Sequence, residues 1–192
     1  MSLREGGWEY WQLKLRAMSW LLLARREAAC AVFTQILQQW PGDAYALASR
    51  AHASAQLGRR EAAIADSQAL VEAHPRRSAA DWFNLAYLFE AAGRWDEAEN
   101  AFRGAVDLDP KLDRAWYGLG LVLIRLRRFD EALLALKRNT ELQPMSPYGW
   151  YQLARVHMDR HEPDEARRII RHLEGFEPKI AAQLERETGL TR

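Results

Sequence analysis

Apolar positions recur along the chain with a helical rather than a strand period. Between residues 79 and 112, Trp82, Leu85, Ala86 and Phe89 mark one helical face, and Ala98, Phe102 and Ala105 mark a second, with Gly93 breaking the chain between them. The pattern predicts two helices of about fourteen residues joined by a tight turn. Prolines fall at Pro41, Pro75, Pro110, Pro144 and Pro178, at separations of 34, 35, 34 and 34 residues. A fixed period of this length signals a repeat architecture. With each proline at position 32 of a 34-residue repeat, five repeats cover 10–43, 44–77, 79–112, 113–146 and 147–180, and Ser78 is a single insertion.

The register orders the remaining residues. Position 4 holds Leu13, Leu47, Trp82, Trp116 and Trp150; position 8 holds Ala17, Ala51, Ala86, Gly120 and Ala154; position 20 holds Ala29, Ala63, Ala98, Ala132 and Ala166. Small residues at 8 and 20 let two helix backbones approach, and the bulky residue at 4 fills the space beside them. Proline at 32 cannot continue a helix, so it resets the chain for the next repeat. Residues 1–9 contain Gly6 and Gly7 and show no helical period, so they read as a flexible lead-in. Residues 181–192 read as a capping helix and tail. Ile180 and Leu184 share one side of that helix, and Gly189 is its stop.

The pattern of Trp at 4, Leu at 7, Gly or Ala at 8, then Gly, Ala, Phe, Ala and Pro resembles the tetratricopeptide repeat (TPR) family. Trp82, Leu85, Ala86, Gly93, Ala98, Phe102, Ala105 and Pro110 carry the likeness most fully. Repeats four and five keep Trp116, Leu119, Gly120, Phe129, Ala132 and Pro144, and Trp150, Leu153, Ala154, Ala166 and Pro178. Repeats one and two depart from it, with Arg16 and Arg50 at position 7 and Arg26 and Arg60 at position 17. The resemblance implies an all-α, right-handed α-solenoid of five helix-turn-helix repeats with a C-terminal capping helix.

It also implies a concave groove lined by positions 2, 5, 6, 9, 12 and 13 of each first helix. The expected partner-binding residues are Trp11, Tyr45, Phe83, Asn84, Tyr87, Arg114, Tyr117, Leu121, Arg125, Tyr148, Tyr151 and Arg155. Aromatic anchors interleaved with arginine are typical of a protein interface. Trp11, Tyr45, Phe83, Tyr87, Tyr117 and Tyr151 stand where helix packing does not require them, although aromatics at such positions can also pack on the adjoining first helix. The family's carboxylate clamp needs Lys at 5 and Asn at 9 of one repeat, Asn at 6 of the next, then Lys at 2 and Arg at 6. Ala48, His52 and Gly118 occupy three of those places, so a chaperone-tail adaptor is not expected. The expected partner is a protein or peptide segment of apolar or aromatic character. A second expectation is self-assembly through the divergent first repeat, which carries Trp8, Trp11, Met18 and Leu22.

Composition narrows the remaining classes. The 192 residues carry 27 Lys+Arg against 26 Asp+Glu, a balance that gives no global field for nucleic acid or an anionic membrane. Arginine supplies 23 of the 27 cations, a bias typical of GC-rich bacterial genomes. Its pairs, among them Arg25-Arg26, Arg59-Arg60 and Arg127-Arg128, sit in turns and junctions beside Glu27, Glu61, Asp130 and Glu131. They read as a solvated mixed-charge edge rather than a phosphate-binding stripe. One cysteine, Cys30, excludes an internal disulfide and suits a reducing compartment, so the cytoplasm is expected. No run approaches the ~20 apolar residues of a membrane-spanning helix. The apolar stretch 17–24 is followed by Arg25, Arg26 and Glu27 instead of a cleavage site, so secretion is not expected.

Catalytic motifs are absent: there is no glycine-rich phosphate loop, nucleophile elbow or cysteine pair. His157 and His161 are four residues apart but fall at positions 11 and 15, one facing the partner helix and one in the turn. No third ligand shares their register. Neither a cofactor, a metal nor an enzymatic activity is expected.

Overall fold

The computed structural model describes residues 3–190. Among them there are eleven α-helices and no strand: α1 (Leu3–Leu22), α2 (Arg26–Gln39), α3 (Ala44–Gln56), α4 (Arg60–Ala73), α5 (Ala79–Ala91), α6 (Trp95–Leu108), α7 (Asp113–Arg125), α8 (Phe129–Leu142), α9 (Pro147–Asp159), α10 (Pro163–Glu174) and α11 (Pro178–Thr188). The chain forms two compact halves that meet in sequence at Ala92 and Gly93.

In the first half α1 packs on α2, α2 on α3, α3 on α4 and α4 on α5. Its core gathers Ala17, Ala29, Val32, Phe33, Ile36 and Ala46 under Tyr10, Leu13, Trp20, Trp40 and Tyr45. In the second half the sequence of contacts runs from α6 to α11, and α11 touches both α9 and α10. Leu136, Leu153, Ala154, Ala166, Leu173 and Leu184 form its driest layer, each fully buried or nearly so. Every alanine at position 20 and the alanines at position 8 are buried, which is what close helix contact demands.

The turn inside each repeat has one conformation. Position 15 lies in the left-handed region in all five: Ala24 (φ 54°), Gly58 (73°), Gly93 (73°), Arg127 (59°) and His161 (61°). Glycine meets that requirement without steric cost; the other three residues do not. Asp43 caps α3 by accepting from the Ala46 amide at 2.7 Å, and Ser78 caps α5 by accepting from Ala80 at 3.1 Å.

Two boundaries differ from the sequence expectation. Helix α1 begins at Leu3, inside the stretch expected as a flexible lead-in, and Gly6 and Gly7 do not interrupt it. The helix is anchored a turn later. Tyr10 donates to Asp43 at 3.0 Å and meets Trp40 edge to face at 5.2 Å. Residues 1 and 2 of the lead-in, and 191 and 192 of the tail, lie outside the described residues. Pro178 opens helix α11 rather than standing between helices, because a first-turn N–H has no intrahelical acceptor to lose. That helix buries Ala181 and Leu184 and ends at Gly189 in the left-handed conformation.

The arginines that break the repeat pattern have their own partners. Arg50, where the family usually has leucine, forms a two-pronged contact with Asp66 at 2.6 and 2.8 Å and also donates to Thr34. Asp66 is itself buried, so the core position is filled by an ion pair instead of an aliphatic side chain. Arg16 donates to Gln35 on α2, and Arg26 to Gln56 on α3.

Candidate functional site

The first helices of the repeats supply the expected binding face, and each half of the chain presents its own part of it. In the first half, α3, α4 and α5 enclose a cleft of about 220 Å³. Ala48, Ala51 and Ala55 leave space on α3. Leu70 of α4 forms the apolar floor, and Asn84, Tyr87 and Leu88 of α5 close the opposite side. His52 stands at the rim with its ring nitrogen 2.9 Å from the Gln56 amide. Ala48 stands where a carboxylate clamp would place Lys, which leaves room in the cleft, and His52 stands where it would place Asn. Tyr87 is 60% exposed beside this hollow, and Asn84 is exposed next to it.

The twelve expected residues divide by environment. Trp11, Asn84, Tyr87, Arg114, Arg125, Tyr148 and Arg155 are exposed; Tyr45, Phe83, Tyr117, Leu121 and Tyr151 are half-buried. The six aromatics that the sequence left open between groove and packing divide accordingly, Trp11 and Tyr87 exposed and Tyr45, Phe83, Tyr117 and Tyr151 half-buried. Tyr45 meets Phe33 edge to face at 6.0 Å and carries the Lys14 ammonium 4.2 Å from its ring centre. Tyr117 and Tyr151 lean on the core of the second half. Phe83, Tyr117 and Tyr151 all stand at position 5 and are half-buried, whereas Tyr87 stands at position 9 and is exposed.

In the second half Tyr151 is tied to the last helix. Its hydroxyl donates to Glu187 at 2.6 Å, and Arg155 lies 5.7 Å from its ring centre. The hydrogen bond to Glu187 raises the phenol above its ordinary range, with burial adding to it, and the same bond lowers the Glu187 carboxyl. Tyr151, Arg155, Met158, Asp159, Glu187 and Thr188 line a shallow, wide hollow there. Arg125 sits 5.9 Å from the ring centre of Trp95.

The arginine pairs are largely occupied. Arg103 and Arg128 bracket the buried Glu99 and share Glu131; Arg59 pairs with Glu27, Arg77 with Asp81, Arg167 with Asp164 and Arg168 with Glu165. The two histidines weighed as a metal pair stand in different settings. His157 is buried with its Nδ1 2.7 Å from Glu162, while His161 is exposed in the left-handed turn. Among the described residues no group of three or more His, Cys, Asp or Glu side chains could hold a metal ion. Cys30 is buried, its Sγ 4.0 Å from the Ser54 hydroxyl. No helix among the described residues is long and apolar enough to cross a membrane.

Sequence reasoning placed His52 on the groove face but did not include it, or the alanines around it, in the binding set. The available signal was the run Ala48, Ala51, Ala55, small residues at positions 5, 8 and 12 of a single helix.

No curated protein sequence matches the chain significantly. Solved structures match it over nearly its whole length. A crystal structure of MamA superposes with a TM-score of 0.80 at 17% identity, covering 97% of this chain and 98% of that one. MamA from Desulfovibrio magneticus RS-1 gives 0.74 at 16% identity, covering 93% and 96%. YrrB, described as a TPR protein with an unusual peptide-binding site, gives 0.78 at 16% identity, covering 88% of each chain. These likenesses identify the fold as an all-α TPR solenoid. The family profile for the tetratricopeptide repeat matches residues 49–113 and 83–147, together 99 of the 192 residues. The chain belongs to the tetratricopeptide repeat family.

Proposed function

We propose that this chain is a non-catalytic protein-interaction module whose first half seats an apolar side chain of a partner segment in the cleft between α3 and α5. One observation carries the reading: Tyr87 stands 60% exposed at the edge of an alanine-lined hollow of about 220 Å³. An aromatic ring held in water beside an apolar space of side-chain size is the arrangement of an interface anchor. Asn84 offers both a donor and an acceptor to the backbone of a bound segment. In the second half the exposed Arg125 and Arg155 suit acidic side chains. The fold-level likeness to YrrB, described as having a peptide-binding site, supports a peptide or helical segment as the occupant. The buried thiol of Cys30 fits a cytoplasmic setting.

The test is selection of binding peptides from a displayed random library on the wild-type protein, followed by titration of Tyr87→Ala and of the cleft-filling Ala48→Phe. Each variant should weaken the selected peptides by more than ~2 kcal/mol while helicity stays intact. Equal affinity for wild type and both folded variants contradicts the reading.

A further inference from the structure

Helix α1 has two apolar faces. Tyr10, Leu13, Ala17, Trp20 and Leu21 pack into the first-half core. On the opposite side Trp8, Trp11, Leu15, Met18 and Leu22 stand in water, at 69, 54, 62, 47 and 88% exposure. Their spacing is 3, 4, 3 and 4 residues, the heptad seam of a helix that packs against another helix.

We propose that this stripe is a self-association surface on which α1 of one chain pairs with α1 of a second copy about a two-fold axis. The direction of the stripe argues for a helix as occupant. The five side chains run along about 21 Å of one helix axis, whereas a segment crossing the repeats meets one or two anchors per helix. The apolar surface does not continue onto α3, where the equivalent positions beyond the half-buried Tyr45 are Ser49, His52 and Gln56. The 3-4 spacing supplies the knobs and holes that such a pair needs, and α1 itself carries the matching seam.

Area and charge agree. The five side chains expose on the order of 700 Å², close to the ~800 Å² each partner gives to an interface of standard size. That is more than a monomer ordinarily leaves in one apolar patch. The stripe contains no charged residue, and Gln12 and Ser19 beside it are neutral, so no like charges face each other along its centre line. Of the nearby cations, Lys14 lies over the Tyr45, Trp11 and Tyr10 rings at the edge of the stripe, and Arg16 is turned away to donate to Gln35. An interfacial membrane helix would instead direct its basic residues outward from the flanks. Helix α11 by contrast presents Glu185, Arg186 and Glu187 outside its buried Leu184, a polar exterior unlike the stripe of α1. Trp11, expected in the groove, belongs to this stripe.

The experiment is sedimentation velocity on the full chain, wild type and two variants at the middle of the stripe. Leu15 is the central residue, so it lies near its own copy whether the helices run parallel or antiparallel. Wild type should sediment as a dimer at micromolar concentration. Leu15→Glu and Leu15→Lys should each weaken association by ~10-fold or more and sediment as monomers, and an equimolar mixture should regain the dimer. Leu15 is 62% exposed, so helicity should be unchanged; Met18→Glu serves as a second disrupting variant should either lose structure. A monomeric wild type overturns the proposal, as do variants that remain dimeric alone. A monomeric wild type that co-floats with phosphatidylserine-containing vesicles overturns it in favour of a membrane surface. Peptide binding at the Tyr87 cleft should be indifferent to Leu15, so the two readings fail separately.

Discussion

The indole N–H of Trp150 donates to the carbonyl of Pro144 at 2.9 Å, joining position 4 of one repeat to position 32 of the repeat before it. Trp116 makes the same bond to Pro110 at 3.0 Å and Trp82 to Pro75 at 2.9 Å. The tryptophans therefore clip successive repeats together as well as filling space. Trp116→Phe keeps most of the apolar ring and loses the bond, so it should lower stability by ~1 kcal/mol, read as a shift in the urea midpoint at constant slope. A midpoint equal to wild type would show that water replaces the clip at no cost.

The proline period, the tryptophans at 4 and the small residues at 8 and 20 made the helix pairs legible before any coordinates. Those features are dictated by backbone approach and chain reversal, which leave little choice of residue. The site was less legible. Tyr45, Phe83, Tyr117 and Tyr151 look like Tyr87 in the sequence, and packed rings differ from free ones by the neighbours they meet, Phe33 and Lys14 for Tyr45 and the second-half core for Tyr117 and Tyr151. The early start of α1 was hidden because Gly6 and Gly7 have poor helix propensity, which tertiary anchoring at Tyr10 overrides. Arg50 read as a defect because its partner, Asp66, lies sixteen residues away on the next helix.

Replacing Ala24 by glycine should stabilise the protein by ~1 kcal/mol, because φ of 54° is strained for alanine and relaxed for glycine. Gly58→Ala, with φ of 73° and open space around its Cβ, should cost a similar amount purely through the backbone. Thermal unfolding of the two variants beside wild type checks both signs. A loss of stability in Ala24→Gly would mean that unfolded-state entropy outweighs the strain.

Arg50→Leu supplies the residue the family prefers, yet it strands the Asp66 carboxylate in the core. The single change should cost ~3 kcal/mol, and Arg50→Leu with Asp66→Ala should recover most of it. The double-mutant cycle by denaturant unfolding measures the coupling. A single variant as stable as wild type would show that Asp66 finds water.

Glu162 receives hydrogen bonds from Arg160 and His157, which hold its carboxyl down to about 2 from its ordinary 4.5. Its folded value lies below its unfolded one, so its contribution to stability is complete above about 4.5 and is lost as pH falls toward about 2. Glu162→Gln should flatten the acid limb of the stability profile in that window and change little near neutrality. Urea midpoints measured from pH 5 to about 2 check this. A profile unchanged by the substitution would assign the acid limb to other carboxylates.

The central claim is that the cleft of the first half is where a partner segment docks. Its most direct measurement is the amide and methyl NMR spectrum of the labelled protein titrated with a display-selected peptide. The account predicts shifts concentrated at Ala48, Ala51, His52, Asn84, Tyr87 and Leu88, and their loss in Tyr87→Ala. Saturable binding whose shifts fall away from α3 and α5, or persist undiminished in Tyr87→Ala, would contradict it.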